Sequence, residues 1–464
     1  MLAAVLLGVW LPAWAQQISP GGSDANKPPA ASRQPPLTYN AVIDTEYRPK
    51  PDLPKLGPAG FRFDDPAFGC PILRVSDDKT MEGRAIVTPA TGFSNPWNAD
   101  STLFCVLADG AVNVPYHFDP NTMTAWRIKD LPALPDIANE VTFSRHDANI
   151  CFGKDRRQKA IVRFDFSTRQ STVLVDLAKL TGLEVGYLGT LSVSDDDVLA
   201  LIFGGPAQDA SPYALLYDLK TGKHRLWNTK EGMVDGKAVE NAPKFTQHSG
   251  LIDLGGRYFV TLGPGVQGPI VWDSKTDRIY PVTAQKDGHY ALGFGHMIND
   301  PHNWAWRSLE PNSVNRSQTL TQHPKDEPYF AYDGHQSWNN ARADAHYPAL
   351  GSTYHPHERQ DAKCAWGDEV IAVATDGSGT VWRFAHHRST VHARGDVPAE
   401  NMGIGYNFWD CPRGNVSTDG QFYMFTSNWE ETTGTDRQGR FRQDVFVVRL
   451  ARGFAATAPT TQPH

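Results

Sequence analysis

Residues 191–202 read LSVSDDDVLALI, and residues 213–222 read YALLYDLKTG. An apolar strand runs into the polar turn at Ser194–Asp197, and a second apolar strand follows it. A third strand ends in Asp218-x-x-Thr221-Gly222. HRLW at 224–227 then supplies a fourth strand beyond that tight turn. Alternating apolar positions bounded by Asp, Thr and Gly are the signature of a hairpin-built sheet.

The same unit recurs along the chain. NADSTLFC (98–105) leads to YHFDPN (116–121), and SRHDANIC (144–151) leads to VRFDFST (162–168). DLGGRYFV (253–260) leads to IVWDSKT (270–276), and STDGQFYMF (417–425) leads to DVFVVRL (444–450). Two less regular copies start near Gly288 and Gly334. The second of these carries an insertion, residues 341–368, before EVIAV (369–373) and TVWRF (380–384). A four-stranded sheet with two apolar faces is not stable alone, whereas radial stacking buries both faces. The reading is all-β, a seven-bladed β-propeller of four-stranded antiparallel blades spanning residues 61–452. ILRVS (72–76) precedes the first unit and is expected to pair with the 444–450 strand, closing the ring.

The flanks differ in character. Residues 2–11 are apolar, Pro12 breaks the run, and Ala13-Trp-Ala15 is a small-x-small cleavage site, so residues 1–15 read as a signal peptide. Residues 16–60 are Pro- and Ser-rich and read as a flexible linker, and residues 453–464 as a disordered tail. A secreted or periplasmic location follows. The apolar leader is too short to span a bilayer, so no membrane span is expected.

The 464 residues carry a net charge of −7 and no Lys/Arg block, which argues against a nucleic-acid partner. The five cysteines show no CxxC pair. Cys105 and Cys151 occupy equivalent points of adjacent units and read as small buried hydrophobes. A Cys364–Cys411 bridge is an open alternative in an oxidising compartment.

Sequence phase has spatial meaning in this architecture. Residues just before each innermost strand ring one mouth of the central channel. His248 in QHSG (247–250), His289 in GHYALG (288–293) and His335 in GHQSWN (334–339) open three consecutive units. Three imidazoles converging on one point form a metal-binding arrangement; the alternative is a set of hydrogen-bonded polar channel residues. Arg413 and Asn415 alternate on the innermost strand of the last unit, where an arginine suits an anionic ligand or an inter-blade ion pair. His386, His387 and Arg388 follow the 380–384 strand. His355 and His357 lie in the insertion, as further ligands or as part of a capping loop.

The C-terminal two-fifths resembles a set of secreted bacterial proteins, in GHQSWNN (334–340), VWRFAHHRS (381–389), NVSTDG (415–420), FTSNWE (425–430) and RQDVF (442–446). More distantly, the blade pattern resembles TolB-like propellers, which are periplasmic binding modules, and oligogalacturonate lyases. The second resemblance implies a divalent metal ion, manganese or calcium, held by His248, His289 and His335 with Gln247 or Gln336 nearby. It also implies an acidic polysaccharide or oligosaccharide cleaved by β-elimination. Arg413 would then neutralise the uronate carboxylate, and Tyr290 or His387 would take the proton. Arg388, Asn415 and Trp338 are the substrate-binding candidates, and a monomer is expected. The first resemblance implies a non-catalytic envelope binding module. Metal content and an ultraviolet-absorbing unsaturated product separate the two.

Overall fold

The computed structural model describes residues 37–89, 94–206, 211–283, 289–299, 304–313, 316–321, 331–332, 335–354, 363–392 and 408–451. Their strands form six antiparallel sheets. The sheet of residues 187–193, 198–204, 213–218 and 224–228 is the unit read first from the sequence. It gains a small hairpin, Met233–Val234 with Lys237–Ala238. The eight-stranded sheet consists of two successive four-strand meanders joined at a single pair, Val112 with Ala138. Among the described residues the one α-helix is Leu177–Thr181, capped by Asp176, and no helix is long and apolar enough to cross a membrane.

Two turn chemistries set the repeat. After the third strand of a unit, an aspartate accepts the backbone N–H two residues on: Asp119 from Asn121, Asp165 from Ser167, Asp218 from Lys220 and Asp273 from Lys275. Four residues past each aspartate the chain turns left-handed, at Met123, Arg169, Gly222 and Asp277. Only one of these is glycine; the side-chain hydrogen bonds offset a local cost of about 1 kcal/mol in the other three. After the innermost strand, Asn98, Ser194 and Asp253 accept the backbone N–H four residues on and Ser417 that five residues on, each with a left-handed residue three positions later.

Apolar faces of successive sheets pack on each other. Trp227, Ile202 and Leu216 meet Phe259, Trp272 and Ile252 of the following sheet. The last sheet packs against the first, through Phe422, Val445 and Val447 against Ile86, Phe104 and Val114. Neighbouring innermost strands are also stitched by polar side chains. Thr190 Oγ1 donates to the Gly250 carbonyl at 2.7 Å and accepts from its N–H at 2.9 Å. Thr190→Val keeps the shape and strands both groups, so it should lower the free energy of unfolding by about 1–2 kcal/mol, read as a shift in the denaturation midpoint.

The 71–74 strand pairs antiparallel with 444–449, Ile72 facing Val448 and Arg74 facing Phe446, as expected. Three other expectations change. Residues 37–60, read as linker, lie against the body: Val42 exchanges backbone hydrogen bonds with Arg383, Asn40 N–H donates to Leu450, and the Tyr39 ring packs on Trp382. An edge strand with unpaired backbone groups captures this segment although its composition lacks strand signals. The insertion 341–368 contains a strand of the sheet itself, Ala349–Tyr354, paired with Glu369–Val373. All five cysteines are buried thiols, so Cys364 and Cys411 form no bridge in this structure. Cys105 and Cys151 pack between the first two units, as expected. Residues 1–15, residues 16–36 of the proposed linker, the tail, His355 and His357 lie outside the described residues.

Candidate functional site

The innermost strands Ser249–Ile252, Tyr290–Leu292 and Gly414–Val416 lie at one end of their sheets' strand orders. His248, His289 and Arg413 immediately precede them. His335 precedes the Ser337–Leu350 bridge of the sixth unit. The structure brings the three histidines together. His248 and His289 place their Nε2 atoms 3.3 Å apart. The His289 and His335 ring centroids are 4.5 Å apart.

Burial disfavours the charged form of two of these rings, His289 and His248. The His289 imidazole is pushed well below its ordinary value, first by desolvation and then by the charges of His335, His248 and Arg413. His248 is lowered in the same sense by burial and by His335; solvent contact at its exposed rim position limits that effect. Arg413 is buried with its guanidinium 5.0 Å from the Trp409 ring, so a cation stands beside the imidazole cluster.

The donor set suits a divalent cation. Two nitrogens bound at about 2.1 Å in tetrahedral array lie about 3.4 Å apart, close to the observed Nε2 separation. Gln336 is fully buried with neither amide atom hydrogen-bonded among the described residues. Gln247, the other amide considered, already donates Nε2 to the Ser211 carbonyl. As the side chains stand, no three His, Cys, Asp or Glu groups among the described residues share one centre. The His335 ring packs on that of His289 at a 35° interplanar angle.

Other nominated residues go elsewhere. Tyr290 follows His289 on the strand and faces the opposite way, into the sheet-to-sheet core. Its hydroxyl donates to the Val260 carbonyl at 2.6 Å, and burial raises its pKa. It is not placed to take a proton at the mouth. Both His387 ring nitrogens are engaged: Nδ1 accepts the Ser389 N–H and Nε2 donates to the Thr353 carbonyl at 2.7 Å. His386 packs on Phe68 with Nε2 near the Arg48 carbonyl. Arg388 binds Glu430 and the Pro51 carbonyl, each at 2.9 Å, which ties down the N-terminal segment. Trp338 lies three residues past His335, toward the far end of the innermost strands, with Nε1 donating to the Tyr347 carbonyl. Asn415 stays on the channel strand, fully buried, with neither amide atom hydrogen-bonded among the described residues.

Sequence phase pointed only at the beginnings of these strands. Their ends carry a second polar group, Ser94, Asn95, Arg145 and Asn339, around one cavity. Counting forward from the strand to the SRHD turn (144–147) would have found Arg145.

No protein-family model matches the sequence, and no curated protein resembles it significantly. Solved structures do resemble it. An oligogalacturonate lyase in complex with manganese aligns over 84% of this chain and 96% of its own, with a TM-score of 0.52 and 14% identity. The oligogalacturonate lyase of Vibrio parahaemolyticus aligns over the same shares with a TM-score of 0.50 and 12% identity. The chain therefore shares an all-β, propeller-type fold with these lyases at distant identity.

Proposed function

We propose that this chain is an exported, monomeric, closed seven-bladed propeller that cleaves uronate-containing polysaccharide by metal-assisted β-elimination. The observation that carries the reading is the convergence of His248, His289 and His335, from three consecutive units, on one end of the channel. Ring closure is supported by the pairing of 71–74 with 444–449 and by the packing of the last sheet on the first. Seven blades follow from treating the eight-stranded sheet as two units.

A divalent ion held by the histidines would draw charge from the uronate carboxylate and acidify the C5 proton. Arg413, beside His289, is the residue to bind and orient that carboxylate. Asn415, two residues along the same strand, offers an amide to the sugar. Elimination would further need a base to take the C5 proton as the C4=C5 bond forms and the glycosidic oxygen leaves with the C4–O electron pair, and neither Tyr290 nor His387 is placed to be that base.

A second reading, a non-catalytic binding propeller of the cell envelope, is favoured by one observation: Tyr290 and His387, the nominated bases, are both engaged with backbone groups. Incubation with polygalacturonate, alongside metal analysis of the purified chain, separates the two. About one divalent ion per chain and a growing ultraviolet absorbance from an unsaturated product are expected. Bound metal without product leaves the binding module, and neither result removes the histidine site altogether.

A further inference from the structure

We propose that the channel end opposite the histidines is a binding site for a small carboxylate, formed where Ser94, Asn95 and Arg145 face one cavity. This does not rest on the lyase reading. Its enclosed part holds about 40 Å³, room for a carboxylate group, and it opens to solvent at its mouth, where the body of a larger acid would stay. Its lining comes from the ends of the innermost strands of six units, so it lies on the channel but away from His248 and His289.

Three observations define the ligand. First, the Arg145 side chain is only 2% exposed and is fixed in place, with Nε on the Asp195 carboxylate and Nη1 on the Asn339 carbonyl at 3.1 Å. It thereby reaches from the second unit to the third and the sixth. A guanidinium held by two partners has already lost the rotamer freedom that binding would otherwise cost.

Second, Ser94 Oγ and Asn95 Nδ2 are buried in the same lining and have no hydrogen-bond partner among the described residues. Both residues are more than nine-tenths buried. Asn95 Oδ1 accepts the Trp97 N–H, so the face turned to the cavity is the NH₂ donor. Unsatisfied buried donors of this kind cost about 1–3 kcal/mol each and mark a place where an acceptor belongs.

Third, the remaining wall is apolar, with Trp338 and Leu292 among its members. Fixed donors beside a guanidinium already paired with Asp195 leave little net positive charge, so the site suits a monoanion better than a phosphate dianion. The apolar wall suits the body that carries the charge. A carboxylate of this description occurs on a uronate monosaccharide and on a small organic acid alike.

Calorimetric titration of the full chain tests the site with three probes: D-galacturonate, acetate, and D-galactose as the uncharged control. Galacturonate or acetate should bind and galactose should not. Galacturonate binding more tightly than acetate identifies a sugar acid, and the reverse a simple organic acid. Asn95→Ala should weaken the carboxylate about tenfold and Ser94→Ala about threefold. Ser94→Ala removes a hydroxyl with no partner among the described residues, so its unfolding midpoint should stay in place; Asn95→Ala also loses the acceptor of the Trp97 N–H and should cost no more than about 1 kcal/mol of stability. The same titration on His289→Ala locates the binding. Retention there places it at the far end, whereas loss there with no change in Asn95→Ala overturns the proposal. Equal binding of galactose, or no binding by either carboxylate, overturns it as well.

Discussion

On the lyase reading, His289→Ala is expected to abolish binding of a divalent ion and, with it, any eliminating activity. His289 is the central ring of the three: its Nε2 lies 3.3 Å from that of His248 and its ring packs against His335. Removing it leaves the outer two histidines without the nitrogen that connects them. Loss of even a supporting contact to a metal ligand costs about 10–100-fold in affinity, so loss of the ligand itself should cost at least about 100-fold. Metal analysis after dialysis should fall from about one ion per chain to background, and the rate on polygalacturonate should fall at least as far. His296→Ala is the control. It lies in the same unit, with Nδ1 at 2.7 Å from the Phe294 carbonyl and its ring stacked on Trp306, and it touches none of the three. Full metal content in His289→Ala would sink the histidine site, whatever the activity.

How much of this was legible in the sequence depends on how local each cause is. The repeat was legible because its turns are made by side chains within five residues of each other. Asp218 with Gly222 and Ser194 with Asp197 are examples, and the same chemistry recurs with different letters at Asp165 and Arg169. The histidine cluster was legible because it inherits the phase of those turns. Tyr290 failed by a rule also written in the sequence: on a strand, the neighbour of an inward residue faces away. His387 and Arg388 failed for a non-local reason. Their partners, the Thr353 and Pro51 carbonyls, come from the supposed insertion and the supposed linker, and composition gave neither segment a reason to be ordered. Arg145 escapes the phase argument, which reaches only the residues just before each innermost strand. Its partner Asn339 lies 194 residues away, a pairing only the assembled channel creates.

Asp444→Asn should be strongly destabilising for so conservative a change, lowering the free energy of unfolding by about 3–5 kcal/mol. Asp444 opens the strand that pairs with residues 71–74, and it is fully buried. Its carboxylate receives the guanidinium groups of both Arg74 and Arg442, with Arg74 Nε at 3.2 Å and the Ser76 hydroxyl at 3.4 Å. Burial works against the charged form of the carboxyl, and the two arginines work for it. Asparagine preserves the volume but leaves two guanidinium groups buried around a neutral amide. The damage falls on the join between the first and last strands, because Arg74 belongs to the 71–74 strand and Arg442 lies two residues before the 444–449 strand. Asp109→Asn provides the contrast. That carboxylate also meets two arginines, Arg84 and Arg437, each at 3.1 Å, but its side chain is 27% exposed and solvent screens the pair. Its loss should cost no more than about 1 kcal/mol. Denaturant unfolding of the two variants side by side gives the comparison. If Asp444→Asn unfolds within about 1 kcal/mol of the parent, the buried ion cluster is not what fastens the first strand to the last, and the case for a ring closed at that seam loses its energetic basis.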